Sequence, residues 1–260
     1  MDHRGNHMLR VDLNCDMGEG FGVYQANEDR ELMKYITSAN IACGFHAGDA
    51  ATIRRTVKLA LEHEVAIGAH PGLQDLAGFG RRVMAISPEE AYELVVYQIG
   101  AVHAFAKSEG GRLAHVKPHG ALYNMAAKNR LLAEAIAEAI YKVEPRLLLF
   151  GLAGSELILA GQAIGLHTVS EVFADRSYED DGSLTPRGTE GAVIEDGARA
   201  LAQALDLIKK GEVLTHQRNR MILRADSVCV HGDTPGAIEH VRLLRTSLEA
   251  EGVSVRSAGE

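Results

Sequence analysis

Apolar, β-rich runs recur along the chain at "LRVDLN" (9–14), "SANIAC" (38–43), "VAIGAH" (65–70), "LAHVKP" (113–118), "LLLFGL" (147–152), "HTVSEVF" (167–173) and "SVCVHG" (227–232), with a weaker "VSVRS" at 253–257. Between them, apolar residues repeat every three or four positions over 28–36, 49–63, 88–109, 120–142, 155–165, 193–210 and 235–251, as in helices with one buried face. Start signals support these helices. Ser87-Pro88-Glu89-Glu90 reads as an N-cap, a proline at the first helical position and a capping-box glutamate, and Thr234-Pro235 repeats the cap-and-proline device. Alternating strands and helices predict a parallel sheet with right-handed crossovers, either open and doubly wound or closed, and seven or eight units favour an α/β fold closed as a (β/α) barrel. The irregular stretches 70–87 and 175–190 are long enough to be functional loops.

Composition narrows the function classes. A chain of 260 residues can form one large domain, expected over 9–260; the opening "MDHRGNHM" (1–8) has no periodicity and reads as a leader outside the fold. No apolar run approaches the roughly 20 residues of a membrane span, so a soluble, cytoplasmic protein is expected. The three cysteines, Cys15, Cys43 and Cys229, form no CxxC pair and read as reduced thiols. A formal net charge of −8 without a Lys/Arg-rich run leaves no electrostatic footprint for nucleic acid. Small molecules and proteins remain as partners, and homo-oligomerisation stays open. Nothing matches GxxxxGK[ST], and no GxGxxG links a strand to a helix. A nucleotide would need another cradle, such as the helix start at Asp233-Thr234-Pro235, or a second protein.

In parallel α/β architectures, ligands bind beyond the carboxyl ends of the strands, where the loops converge. Polar residues fall there repeatedly. The first run carries Asp12, Asn14 and Asp16 at alternate positions, on one side of an extended chain, and leads into the glycine-rich "GEGFG" with Glu19. The second ends in "CGFHAGD" (Cys43, His46, Asp49), the third in "AHPG" (His70) and the fourth in "KPHG" (Lys117, His119). "EVFADR" supplies Glu171, Asp175 and Arg176, and "HGDTPG" supplies His231 and Asp233; only "FGLAGS" lacks ionisable groups. Lys117 closes an otherwise buried strand, where an ammonium is costly unless it faces a cavity or an anion, which points to anion binding. The histidines at 63, 103, 167, 216 and 240 read as surface or packing residues.

Taken together, "VDLNCDMGEGFG", "SANIACGFHAGD", "IGAHPGLQDLAGFGRR", "VKPHGALYN", "EVFADRSYEDDGSLTPRG" and "VCVHGDTPGA" resemble the LamB/YcsF family, in order and over about 9–250. The resemblance implies an irregular, seven-stranded barrel similar to those of glycoside hydrolases and deacetylases, which leaves "VSVRS" outside the barrel. It also implies the ATP-dependent 5-oxoprolinase reaction, opening 5-oxoproline to L-glutamate with hydrolysis of ATP to ADP and phosphate. The B and C subunits of that complex are the implied partners.

That chemistry assigns roles to the rim. A lactam carbonyl is a poor electrophile; phosphorylated on oxygen by ATP, its carbon becomes open to water, and hydrolysis then needs a base, an anion clamp and oxyanion donors. Asp16, or the Asp12/Asp16 pair, is the candidate base, supported by Asn14. His46 and His70 would position water, or with Asp16 hold a divalent metal. Lys117 and Arg176 would hold the substrate carboxylate or the phosphoryl group, and His119 and His231 would complete the polar wall. Glu19, Cys43, Asp49, Glu171, Asp175 and Asp233 are the remaining substrate-binding candidates. Two alternatives stand beside this one: a metal-dependent deacetylase or amidohydrolase on the same rim, and a non-catalytic scaffold subunit.

Overall fold

The computed structural model describes residues 9–23, 28–230 and 236–260. In chain order these form β1 (Arg10–Met17), α1 (Asp29–Leu32), β2 (Ser38–Ala42), α2 (Ala50–Glu62), β3 (Ala66–His70), α3 (Pro88–Ser108), β4 (Leu113–Val116), α4 (Gly120–Lys128) and α5 (Arg130–Val143). There follow β5 (Leu148–Leu152), α6 (Glu156–Ile164), β6 (Thr168–Phe173), α7 (Gly197–Lys210), β7 (Glu212–Leu214), β8 (Arg220–Ile222), β9 (Ser227–Val230), α8 (Ala237–Ala250) and β10 (Ser254–Val255). Strands β1 to β6 pair in sequence, β6 pairs with β9, and β9 pairs back to β1, all parallel. The result is a closed seven-stranded barrel wrapped by helices. The run at 253–257 contributes β10, which pairs only with the start of β1 and stays outside the closure.

Both faces of the strands are buried, as parallel strands require. On β1 the outward residues Val11, Leu13, Cys15 and Met17 join the apolar core under the helices. The intervening Asp12, Asn14 and Asp16 point into the barrel, where they meet polar side chains of other strands. Register places Asp16 beside Asn40, Asn40 beside Gly68 and Gly68 beside His115, so one row crosses four strands.

Local signals act where expected at the start of α3. Ser87 and Glu90 form the reciprocal capping box with Pro88 in the first turn. The segment 120–142 differs from its expected single helix. It breaks at Asn129, whose side chain accepts from the N–H groups of Leu131 and Leu132 and starts α5 afresh. The segment 193–210 becomes helical only after Asp196, which caps α7, and 28–36 is reduced to the short α1. The β7–β8 hairpin, absent from the periodicity reading, pairs Glu212–Leu214 with Arg220–Ile222. The cap expected at Thr234-Pro235 lies outside the described residues; α8 follows Gly236.

Candidate functional site

Lys117, at the carboxyl end of β4, sits inside the barrel with its ammonium 2.8 Å from Glu171 Oε2 and 3.1 Å from Asp16 Oδ1. It also donates to Asn14 Oδ1 at 3.0 Å and lies 3.2 Å from the Cys229 sulfur. Burial alone would drive the lysine towards neutrality, but Asp16, Cys229 and Glu171 outweigh it and hold the ammonium charged. Asp16 behaves in the complementary way: burial opposes its charge, yet His70 and Lys117 hold its carboxyl well below the usual carboxylate range. Asn40 Nδ2 donates to the same Asp16 oxygen at 2.9 Å, and Tyr123 donates to Glu171 at 2.7 Å. The anions that the sequence leads one to expect beside Lys117 are thus, first of all, the protein's own.

Above this ion cluster stand three imidazoles. His70 Nδ1 lies 2.7 Å from the Lys117 carbonyl oxygen and His119 Nε2 lies 2.8 Å from that of Phe79. A carbonyl only accepts, so these two nitrogens carry the hydrogens. The lone pairs of neutral His70 Nε2 and His119 Nδ1 then converge at 3.0 Å, with Asp16 Oδ2 3.2 Å from the same His70 nitrogen. Acceptors packed this closely need a cation among them, either a proton or a metal ion. His46 stacks face to face on His119, with centroids 3.7 Å apart, and neither of its ring nitrogens has a hydrogen bond among the described residues. Burial, with His119 and His70 nearby, pushes His46 well below its usual value, and burial with His70 pushes His119 down to about 3.

Glu19 completes the group. Its Oε1 is 3.7 Å from His46 Nε2 and 3.9 Å from His119 Nδ1, and one ligand atom each from Glu19, His46, His70 and His119 falls within 4.8 Å of the others. Tetrahedral coordination with metal–nitrogen bonds of about 2.1 Å separates ligand atoms by about 3.4 Å, so this donor set fits a divalent metal. The 71–87 loop is shaped around it. At Gly80, φ is +62°, and an added Cβ would lie 2.7 Å from His46 Cβ and 2.9 Å from His119 Cδ2.

A cleft of about 660 Å³ opens over Asp16, His70, Lys117 and His119. Its walls include Arg81, Arg176, Arg187 and Lys128 together with Leu152 and Phe173. The sequence expectations divide on this geometry. Asn14, Asp16, Glu19, His46, His70, Lys117, His119 and Glu171 come together in the barrel mouth and the layer beneath it. Asp12 does not. Four residues earlier on β1 and so about 13 Å away, it accepts from Thr37, Ser38 and Ser227, and burial pushes its carboxyl up.

Asp49 gives one oxygen to Thr52 N–H at the start of α2 and the other to Gly22 N–H, two contacts that lower its pKa. Cys43 is buried against the Ile41 carbonyl, and burial raises its thiol to about 12. Arg176 lines the cleft, but its guanidinium donates to the Thr185 and Ala192 carbonyls, tying down the loop that follows β6. Asp175 instead lines a cavity of about 400 Å³ between α7 and α8. His231 and Asp233 lie outside the described residues. Asn40, His115 and Tyr123 escaped the sequence reading. For Asn40 and His115 the signal was present: each is a polar residue within an apolar run, and His115 is two positions before Lys117 and so shares its side of the strand.

The LamB/YcsF family model matches residues 11–260. Relatives named as the A subunit of 5-oxoprolinase include one from Brevibacillus brevis, 59% identical over 95% of this chain and 98% of its own length. Another, from Bacillus subtilis, is 56% identical over 97% of this chain and 98% of its own length. A crystal structure of the lactam utilization protein from Thermus thermophilus superposes with a TM-score of 0.90 at 46% identity, covering 95% of this chain and 99% of that one. A protein from Enterococcus faecalis, described as a cellobiose-phosphate cleavage protein, shares the fold alone, with a TM-score of 0.55 at 15% identity over 96% of this chain and 97% of its own.

The ion cluster predicts that Lys117→Met, although close in volume, destabilises the protein by about 3–5 kcal/mol, because the buried Glu171 and the half-buried Asp16 would lose their cation. Urea unfolding of the two proteins measures this; equal midpoints would contradict the pairing. A second expectation concerns pH. In the fold, His46, His115 and His119 are held well below the ordinary histidine value of 6.5. The unfolded chain therefore binds protons below about pH 6.5 that the fold refuses, and metal-free protein loses stability from there down towards pH 3. The slope reaches about 1.4 kcal/mol per pH unit for each such histidine. Melts at about pH 7.5 and about pH 5 give the sign.

Proposed function

Since the chain belongs to the LamB/YcsF family, we propose that it is the barrel subunit of an ATP-dependent 5-oxoprolinase and that its mouth is where water opens the activated lactam. Overall, ATP, 5-oxoproline and two waters become ADP, phosphate and L-glutamate. One water cleaves the ring and the other is consumed in hydrolysing ATP. The observation that supports this reading most is the convergence of the His70 and His119 ring nitrogens over a charged Asp16–Lys117 pair at the base of a cationic cleft.

His70 Nε2 and His119 Nδ1 are placed to take a proton from the attacking water while that water's oxygen bonds to the ring carbon. Asp16 stabilises the imidazolium formed on His70. The carbon–nitrogen bond then breaks, the protonated imidazole returns its proton to the departing amine, and the acyl phosphate that remains is cleaved by the second water to phosphate and L-glutamate. Arg176, Arg81 and Arg187 in the cleft walls supply positive potential for the substrate carboxylate and for a phosphoryl group on the carbonyl oxygen, while Lys117 below holds Asp16 and Glu171. ATP would be handled with the B and C subunits, since no phosphate cradle of recognised sequence is present in this chain. In place of the transferred proton, Glu19, His46, His70 and His119 would hold a divalent metal, whose chemistry when bound is to polarise oxygen and acidify water; the two roles use the same lone pairs of His70 and His119 and exclude each other. That donor set also favours a second reading, a metal-dependent amidohydrolase or deacetylase acting without ATP.

Two measurements follow. Purified chain should show little 5-oxoproline-dependent release of ADP and glutamate until the B and C subunits are added; rapid, stoichiometric turnover by the chain alone would overturn the division of labour, and ATP-independent amide hydrolysis would favour the second reading. Elemental analysis separates the two uses of these lone pairs: a divalent ion in the wild type, with about tenfold less in His46→Ala or Glu19→Gln at equal protein, would assign them to the metal of the second reading. Unchanged metal content in both variants, or its absence from wild type purified with Zn²⁺ or Mn²⁺ present, would remove the metal from the site.

A further inference from the structure

The row Asp16, Asn40, Gly68 and His115 crosses β1, β2, β3 and β4 in register, and its third member has no side chain. The His115 ring occupies the space left there: a Cβ added to Gly68 would overlap the imidazole. Reaching over β3 in this way, His115 Nε2 comes within 2.8 Å of Asn40 Oδ1. On the other side of the amide, Asn40 Nδ2 donates to Asp16 Oδ1 at 2.9 Å and to Asn14 Oδ1 at 2.8 Å. These two oxygens are the ones that Lys117 also contacts.

An asparagine amide has two faces of opposite polarity, and rotating it by half a turn would put its oxygen against the Asp16 carboxylate and the Asn14 carbonyl. His115 prevents this when its Nε2 bears the hydrogen, because an N–H aimed at Asn40 admits only the amide oxygen. We infer that His115 is a positioning residue for the reaction in the barrel mouth: as its Nε2–H tautomer it locks the Asn40 amide, and through that amide it holds Asp16 in place beneath His70. The ring is 1% exposed and rests on Phe150, with centroids 4.4 Å apart. It makes no contact with the cleft and takes no part in proton transfer there. The inference about catalysis rests on the reaction proposed above; the inference about the amide does not.

In the reconstituted complex, His115→Leu should lower kcat about 10- to 100-fold, the scale on which a small displacement of a reacting group acts, with KM changed less than about twofold. His115→Gln, which offers an amide N–H in the same place, should recover most of the rate. Asn40→Leu should lose as much as His115→Leu, and the double variant should lose no more than either, because His115 acts only through Asn40. Wild-type kcat in a natively stable His115→Leu protein, no recovery with glutamine, or multiplicative losses in the double variant would overturn the role. Histidine nitrogen NMR of the chain alone supplies a reading independent of turnover. It should find the His115 hydrogen on Nε2, and that preference should be lost in Asn40→Leu. A hydrogen on Nδ1 instead would overturn the lock even if His115→Leu failed to fold, and it would do so whether or not the complex hydrolyses 5-oxoproline.

Discussion

One ammonium group inside the barrel, that of Lys117, lies between two carboxyl groups carried on different strands of the wall. Asp16 and Glu171 approach it from β1 and β6, and Asn14 gives it an oxygen from the layer beneath. Removing a charge from water costs several kcal/mol, and attraction offsets that cost only where the remaining hydrogen-bonding capacity is filled. Here Asn40 donates to Asp16 and Tyr123 to one oxygen of Glu171, whose other oxygen is left to its ion pair with Lys117. Each of these partners is fixed in turn, so the position of the Asp16 carboxylate is set by a network spanning most of the barrel wall.

Such an interior forgoes the apolar packing that usually fills a small barrel. The apolar faces turned outward compensate: Val11, Leu13, Cys15 and Met17 on β1, and Ile41, Ile67 and Val116 on the strands beside it, bury against the helices. Separating the two tasks by strand face lets the chain keep a hydrophobic core and a charged centre in the same sheet. The histidine cluster extends this division upward. Carbonyls of Lys117 and Phe79 take one hydrogen each from His70 and His119, which leaves both rings with lone pairs directed at the mouth rather than into the wall. Glu19 and His46 place further ligand atoms within 4.8 Å of these two nitrogens, a set that could hold a metal ion.

Much of this was legible along the chain. Period-two alternation at 12, 14 and 16 placed those three residues on one side of the strand, and alternation of strand and helix pointed to the barrel. The Ser87–Glu90 capping box could be read directly because its partners are three residues apart. Histidine and lysine after successive strands marked the rim, since closure of a parallel barrel brings those ends together whatever their spacing in sequence.

What only tertiary structure decided was how each polar side chain is engaged. Asp12 and Asp16 look alike in sequence, but four residues of extended chain carry them to different depths, one among hydroxyls and the other beside a cation. Asp49 and Arg176 looked like ligand-binding groups and are engaged with backbone, Asp49 with the N–H groups of Gly22 and Thr52 and Arg176 with carbonyls of the loop that follows β6. Asn40 and His115 drew no attention as a pair, because their contact depends on the absent side chain of Gly68 between them. The physical reason is separation along the chain: Lys117 meets Asp16 across 101 positions and Cys229 across 112. Local patterns determine which residues enter a helix or turn inward from a strand, while the pairing of buried charges is settled only when closure of the barrel selects which of them share the same few ångströms.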